Sequence, residues 1–217
     1  MISHLKNIKA VIFDLDGVLV HTDELHYQAW KHIADGENIP FDRKVNHRLR
    51  GVSRMESLEI ILEKATHAYT PDEKFALAES KNDLYRASLN SLSPLSAAPE
   101  VRQLLDTLQK KGYALAIGSS SKNAEDILAY TDLRKYFTVV ICGNQLTHSK
   151  PHPQVFLKAA EAVGLNVTQC AVIEDARAGV DAAIDGGFVC FAMGDAADYD
   201  RATYRLNALD ELGGWLL

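Results

Sequence analysis

Short apolar runs alternate with amphipathic stretches along most of this chain. We interpret five runs rich in β-branched and other apolar residues as buried strands, at residues 8–13, 113–118, 137–142, 170–173 and 188–192. From Ala97 onward, stretches of helical period separate these runs. Repeated αβ units of this kind predict an α/β fold with a doubly wound parallel sheet.

A different pattern fills the chain after the first strand. Residues 22–90 lack any long β-branched run and predict only helices, at roughly 23–35, 42–49, 53–65 and 71–92. Thr22 or Asp23 can cap the first of them. An all-helical block at this place indicates an inserted bundle. We therefore predict an α/β core domain at 1–20 and 94–217 and a helical domain at 21–93.

Composition narrows the function classes. The chain has 217 residues and a net charge of −6, with no basic patch, so nucleic acid is not an expected partner. No apolar run reaches the roughly 18 residues of a membrane span, and no apolar leader precedes the first strand, so we expect a cytoplasmic protein without membrane contact. The widely spaced Cys142, Cys170 and Cys190 suit buried apolar positions better than disulfides or a zinc site.

Two carboxylates end the first strand, in the sequence Asp14-Leu15-Asp16-Gly17. Open α/β sheets bind ligands at the carboxyl ends of their strands, and Gly17 allows a sharp turn there. One acid could be a nucleophile. The other, whose ionisation the neighbouring charge opposes, could be a proton donor. The alternative is an Asp-rich turn, which the preceding apolar strand and Gly17 make less favourable.

Two further strand ends carry groups that suit a phosphate. Ser119 begins a Ser-rich loop before a helix, where hydroxyls and free N–H groups can bind phosphate, although helix capping by Ser120 or Ser121 is the alternative. Lys150 lies in a Ser-Lys-Pro-His-Pro loop after a strand and could neutralise a phosphate. The alternative for this lysine is a solvated surface charge.

A fourth strand end carries Glu174 and Asp175. These carboxylates, brought near Asp14, would repel one another unless a cation lay between them. Oxygen ligands and an expected phosphate favour Mg²⁺.

Taken in order, DLDGV at 14–18, Ser119, Lys150 and EDARAG at 174–179 resemble the four motifs of the haloacid dehalogenase-like phosphotransferases. The resemblance implies a Rossmann-like core in which Asp14 attacks phosphorus and forms an aspartyl-phosphate, with Asp16 as general acid and base. It implies that Ser119 and Lys150 hold the transferring phosphoryl group. The metal ligands that it implies are Asp14, the backbone carbonyl of Asp16, Asp175, and Glu174 directly or through water.

The helical block carries a second resemblance. RGVSRMESL at 50–58 is similar to the cap-domain loop of the β-phosphoglucomutases, a branch of that superfamily, and further matches are His26 with Trp30, 81–83 and 121–123. It implies a second phosphate site at Arg54, Ser121, Lys122 and Asn123, with the N–H of Ser120 beside it. It implies that the sugar is lined by Arg50, Gly51, Val52 and Ser53. It also implies that cap closure is coupled to the position of Asp16 by three residues, which are Thr22, His26 and Lys81. Taken alone, 50–58 could be a capped surface helix with two solvated arginines, and His26 a surface histidine.

The resemblance implies a mutase cycle on a phosphosugar, with Mg²⁺ as cofactor and glucose 1,6-bisphosphate as intermediate and activator. Arg50 replaces the lysine usual in that loop, which leaves sugar specificity open. One alternative is a Mg²⁺-dependent sugar-phosphate phosphatase of the same fold, which would admit water. Another is a phosphosugar-binding protein without activity. We expect a monomer.

Overall fold

The computed structural model describes residues 5–217, so the predicted core segment at 1–20 is described only from Leu5 onward. The strands of this part of the chain are β1 (Ala10–Phe13), β2 (Ala114–Gly118), β3 (Val139–Ile141), β4 (Cys170–Glu174), β5 (Val189–Ala192) and β6 (Tyr204–Arg205). They form one parallel sheet in the order β3-β2-β1-β4-β5-β6, which confirms the doubly wound fold. The two-residue β6 was not predicted, because it lies in a weakly patterned stretch.

Helices connect the strands and fill the stretch after β1. They are α1 (Asp23–Gly36), α2 (Arg43–His47), α3 (Arg54–Leu62), α4 (Pro71–Ser88), α5 (Pro99–Lys110), α6 (Ala124–Tyr130), α7 (Gln154–Ala162), α8 (Arg177–Asp185) and α9 (Leu212–Leu216). Ser53 and Thr70 begin α3 and α4 with capping boxes. Thr22 is the N-cap residue of α1 but makes no side-chain cap, because its hydroxyl donates to Asp16, and Asp23 is already the first residue of the helix. The predicted side-chain cap at Thr22 or Asp23 is therefore wrong.

Alternation along the strands divides the core between the two faces of the sheet. Phe13, Ile117 and Ile173 belong to one hydrophobic cluster, together with buried residues of α5 and α6. Their neighbours Ile12 and Val172 belong to the opposite cluster, with buried residues of α7 and α8. Helices thus cover both faces, which explains why the strands read as continuous apolar runs.

The helices α1 to α4 have a hydrophobic cluster of their own, formed by residues such as Trp30, Ile33, Leu58 and Ile61. Cys142, Cys170 and Cys190 are all buried and unpaired, as predicted. No helix within residues 5–217 is long and apolar enough to cross a membrane.

Candidate active site

The site begins where strand order reverses, at the neighbouring carboxyl ends of β1 and β4. Phe13 pairs with Ile173, and the N–H of Asp14 donates to the Ile173 carbonyl at 2.9 Å. Asp14 therefore lies beside Glu174, although 160 residues of chain separate them. The sheet brings together acids that the sequence shows only as separate pairs.

Lys150 is buried against these acids, with 1% of its surface exposed. Its Nζ donates to Asp14 Oδ1 at 2.5 Å and to Glu174 Oε1. Burial alone would lower the pKa of this ammonium, but the charges of Asp14 and Glu174 outweigh it and raise the pKa above its ordinary value. The surface-charge alternative for Lys150 is therefore wrong.

The carboxylates of this site carry more negative charge than the one ammonium of Lys150 can balance. Burial, reinforced by the charge of Glu174, raises the pKa of Asp14 and of Asp175 well above the usual range. Burial also raises the pKa of Asp16 to about 6, against the hydrogen bond from Thr22 that lowers it. A site with this excess of negative charge is suited to a cation.

The donor set limits how a cation could bind. In the described part of the chain, no three His, Cys, Asp or Glu side chains come together as a metal site. Both oxygens of Glu174 are engaged, one with Lys150 and the other with the N–H of Ala176 at 2.9 Å. Of the ligands that the resemblance implies, this leaves Asp14, Asp175 and the backbone carbonyl of Asp16 for direct contact with a cation. Two carboxylates completed by water or phosphate oxygens are typical of a hard divalent cation.

Gly17 brings the turn after β1 against Asp175. Its φ of +91° is the left-handed conformation that the sequence led us to expect at a sharp turn. A Cβ at this position would lie 2.1 Å from Asp175 Oδ2, so no side chain fits here. The glycine thus permits both the turn and the close approach of the two acidic segments.

The loop after β2 presents serines toward the same sheet edge. Ser119 is buried, and its Oγ accepts from the N–H of Ser121 at 3.1 Å. The Oγ of Ser121 accepts from the N–H of Asn123, which is the N-cap residue of α6 and makes no side-chain cap. Ser120 donates to the carbonyl of Gly51 at 3.2 Å. Helix capping therefore does not explain these serines.

On the helical side, Lys81 is 3% exposed and its Nζ lies 2.8 Å from Nδ1 of His26. The ammonium also lies over the rings of Trp30 and Tyr85, at 5.0 and 4.7 Å from their centres. Burial lowers the pKa of Lys81 to about 7 and the pKa of His26 well below its usual value. The half-buried His26 stacks on Tyr85, so it is not a free surface histidine.

The two arginines of the 50–58 stretch are both paired. Arg50 Nη2 lies 2.8 Å from Asp23 Oδ2, and its Nη1 contacts Asp195 and lies 3.9 Å from Asp175 Oδ2. Arg54 has a side chain that is 15% exposed, and its Nη1 contacts Glu79. Neither is a solvated arginine, so that alternative is wrong.

A cavity of about 330 Å³ separates the helical segment from the sheet edge. Most of the residues that the sequence assigned to a site line it: Asp14, Asp16, His26, Trp30, Arg50, Gly51, Val52, Ser53, Arg54, Lys81, Ser119, Ser120, Ser121, Lys122, Asn123 and Asp175. Thr22, Lys150 and Glu174 do not line it. They act from behind it, through Asp16 and Asp14.

Sequence reasoning did not predict the hydrogen bonds that join the two sides of the cavity, although Glu56, Asn82 and Asn123 lie in segments that it singled out. Asn82 Oδ1 accepts from Asn123 Nδ2 at 3.0 Å, and Ser149 Oγ donates to Glu56 Oε2 at 2.5 Å. Glu79, Met55 and Phe75 were also missed, although all three line the cavity. No local pattern shows these pairings, because each one joins segments that are far apart in the chain.

Comparison with known proteins agrees with this geometry. Residues 8–187 match the family model of the haloacid dehalogenase-like hydrolases. The chain is 41% identical to a β-phosphoglucomutase of Bacillus subtilis over 86% of its length and 84% of that protein. It is 31% identical to a phosphorylated carbohydrates phosphatase of Thermotoga maritima, over 83% and 82% of the two chains.

Among solved structures, a β-phosphoglucomutase of Clostridium difficile superposes with a TM-score of 0.89 at 32% identity, over 94% of this chain and 93% of that one. The match of the family model covers the acids, the serine loop and Lys150 alike. The chain belongs to the haloacid dehalogenase-like hydrolase family.

Proposed function

We propose that this chain is a β-phosphoglucomutase, which interconverts β-D-glucose 1-phosphate and D-glucose 6-phosphate through an aspartyl-phosphate and a 1,6-bisphosphate. The observation that carries the proposal is a single cavity that is lined both by the acids of the sheet edge and by two cationic side chains suited to a second phosphate. Asp14, backed by Lys150, lies at the sheet edge, and Arg54 and Lys122 line the same cavity from the helical segment and from the loop after β2. A phosphatase needs only the first of these groups, whereas a mutase needs both. The 41% identity to a protein named as this mutase supports the same choice.

We propose Mg²⁺ as the cation of the site, held by Asp14, Asp175 and the backbone carbonyl of Asp16, with Glu174 acting through water. When bound, it would offset the charge of the carboxylates and of the transferring phosphoryl group. Lys150 adds a second positive charge, beside Oδ1 of Asp14. With its charge offset, Asp14 would attack phosphorus through Oδ2, the oxygen that Lys150 does not contact. Ser119 on the cavity wall and Lys150 behind Asp14 would hold and neutralise the phosphoryl group.

Asp16 is suited to move the proton. Its pKa of about 6 lies close to neutrality, so it can take a proton from the attacking sugar hydroxyl and return one to the departing oxygen. The hydroxyl of Thr22 donates to Oδ1 of Asp16, which orients the carboxyl group and leaves Oδ2 for substrate. His26 and Lys81 line the cavity on the helical side, where the charge of Asp16 acts on Lys81.

We propose that residues 21–93 form a cap whose closure excludes water. The aspartyl-phosphate must survive while the bisphosphate turns round, and water at Asp14 would hydrolyse it. Contacts between Ser120 and Gly51, between Ser149 and Glu56, and between Asn123 and Asn82 support a closed arrangement. The division at residues 20/21 and 93/94, the monomeric state and the cytoplasmic location stay predictions.

The alternative is a Mg²⁺-dependent sugar-phosphate phosphatase. The name of the Thermotoga maritima relative favours it, at a lower identity of 31%. Asp14 and Asp16 would act identically in both reactions. The difference lies in whether water reaches the aspartyl-phosphate before the bisphosphate has turned.

The test follows glucose 6-phosphate and inorganic phosphate together, from β-glucose 1-phosphate with Mg²⁺ and a trace of glucose 1,6-bisphosphate. Glucose 6-phosphate with little free phosphate supports the mutase, and free phosphate as the main product supports the phosphatase. Arg54→Ala should lower kcat/KM roughly tenfold to a hundredfold, because it removes a charged hydrogen bond to phosphate. Arg48→Ala is the matched control, since Arg48 pairs with Glu63 at 2.7 Å and lies outside the cavity. Equal kinetics in both variants would contradict the role of Arg54.

A further inference from the structure

Glu79 is an acidic group in the part of the cavity that would receive a phosphate. It lies on α4, lines the cavity, and accepts from Nη1 of Arg54 on α3. Its side chain is 47% exposed, whereas that of Arg54 is 15% exposed. The carboxylate of Glu79 is therefore paired with the guanidinium of Arg54, which the proposed reaction needs for its second phosphate.

Few other positive charges of the described residues lie near Arg54, so its pairing with Glu79 changes how strongly this part of the cavity can attract a phosphate. Lys122 lines the same cavity, and its ammonium has no ion-pair partner among residues 5–217. Lys81 lies on the same helix as Glu79, and its pKa of about 7 leaves it only partly charged at neutral pH. With Glu79 present, the positive charge that faces a phosphate here is reduced by one. The second phosphate site is thus weaker than Arg54 and Lys122 alone would make it.

We propose that Glu79 sets the affinity of the second phosphate site by competing with phosphate for Arg54. The inference rests on the proposed mutase function, since only a reaction with a turning bisphosphate needs this site to release its phosphate quickly. A phosphate dianion that binds Arg54 displaces Glu79, whose exposed side chain can turn into solvent. When the bisphosphate leaves, the carboxylate returns to the guanidinium.

This competition has a kinetic consequence. A site that held phosphate too tightly would stabilise the bound bisphosphate and product, and would slow the release of phosphate that each turn of the bisphosphate and each product departure requires. Removing the negative charge of Glu79 should therefore tighten binding and lower kcat together. The charge of Glu79 thus sets how strongly the second phosphate is held.

The first experiment measures phosphate binding directly. Inorganic phosphate is titrated into the ¹⁵N-labelled, Mg²⁺-loaded protein, and the amide signals of Ser53, Arg54 and Met55 report occupancy of this end of the cavity. Glu79→Gln should bind phosphate about fivefold to tenfold more tightly there at low ionic strength, because like-charge repulsion is removed. The gain should shrink as salt is added.

The chain offers a matched control for this change. Glu59 on α3 pairs with Lys74 on α4 at 2.7 Å, so it joins the same two helices through a carboxylate and lies outside the cavity. Glu59→Gln removes one negative charge from the same helical segment. Its phosphate affinity should equal that of the wild type, which separates a local effect from a change of net charge.

The second experiment compares steady-state kinetics on β-glucose 1-phosphate. Glu79→Gln should show a lower KM and a lower kcat than the wild type, while Glu59→Gln changes neither. Unchanged or weaker phosphate binding in Glu79→Gln would overturn the inference, as would a raised KM. If the wild type has no mutase activity but Glu79→Gln still gains phosphate affinity, the proposed function fails and the competition at Arg54 stands.

Discussion

The substitution that most directly tests how the cavity is kept closed to water is Asp195→Asn. Asp195 lies in the loop after β5 and accepts from Nη1 of Arg50, with Nδ1 of His47 at 3.3 Å from the same carboxylate. We call these three residues the Asp195 clasp, because it joins the helical segment to the sheet edge. Partly exposed pairs of this kind contribute about 0.2–1 kcal/mol each. The loss of about 1 kcal/mol from the closed state changes the ratio of closed to open protein about fivefold.

The assay for this prediction measures how often water reaches Asp14. Inorganic phosphate released per glucose 6-phosphate formed should rise about fivefold in Asp195→Asn, and the lifetime of the labelled aspartyl-phosphate should fall by a similar factor. Asp198→Asn is the control, since Asp198 lies in the same loop, is 97% exposed and pairs only weakly, with Arg205 at 3.4 Å. An unchanged phosphate yield in Asp195→Asn would refute the reasoning that the clasp holds water out.

Three further predictions concern the turn, the buried lysine and the cation. Gly17→Ala should destabilise the fold by roughly 1–3 kcal/mol and abolish activity, because its Cβ meets Asp175 at a positive φ; thermal unfolding checks this against Gly36→Ala, where nothing lies within 4 Å. Burial lowers the pKa of Lys81 from 10.5 to about 7, so the folded chain binds fewer protons than the unfolded chain between these values. The free energy of unfolding should therefore rise with pH across that window, and Lys81→Met should lose this rise in urea unfolding at about pH 7 and 9.5. Chelation of divalent cations should stop phosphoryl labelling of Asp14 and added Mg²⁺ should restore it; labelling that persists in chelator contradicts the cation site.

The core of the site was predictable because its signals are local and the sheet supplies the rest. An apolar run followed by Asp14 and Asp16 identifies a strand end, and the same is true of Glu174. Parallel strands align their carboxyl ends at one edge, so groups far apart in the chain converge without any further information. The capping boxes at Ser53 and Thr70 are local in the same way, because a capping box is set by residues three apart.

Pairings between distant side chains were not predictable from local pattern. Thr22 is a residue type that often caps helices, and capping residues usually have an extended backbone. Its φ of −109° and ψ of 6° are not extended, and its hydroxyl donates to Asp16 instead. Arg54 and Glu79 lie 25 residues apart, and Arg50 and Asp195 lie 145 residues apart. Each pair depends on how the helical segment sits on the sheet edge, which depends on the whole fold.

In our proposal the choice between mutase and phosphatase depends on the second phosphate site at Arg54 and on how well the cavity excludes water, rather than on the acids. Asp14, Asp16 and Lys150 would perform the same phosphoryl transfer in either reaction, and their burial fixes them whatever the acceptor. Hydrolysis, in contrast, rises in proportion to the time the cavity is open. That time depends on partly exposed contacts such as the Asp195 clasp, each weak enough for one substitution to remove. We therefore expect substitutions in the Asp195 clasp to raise hydrolysis without changing any residue that touches the phosphoryl group.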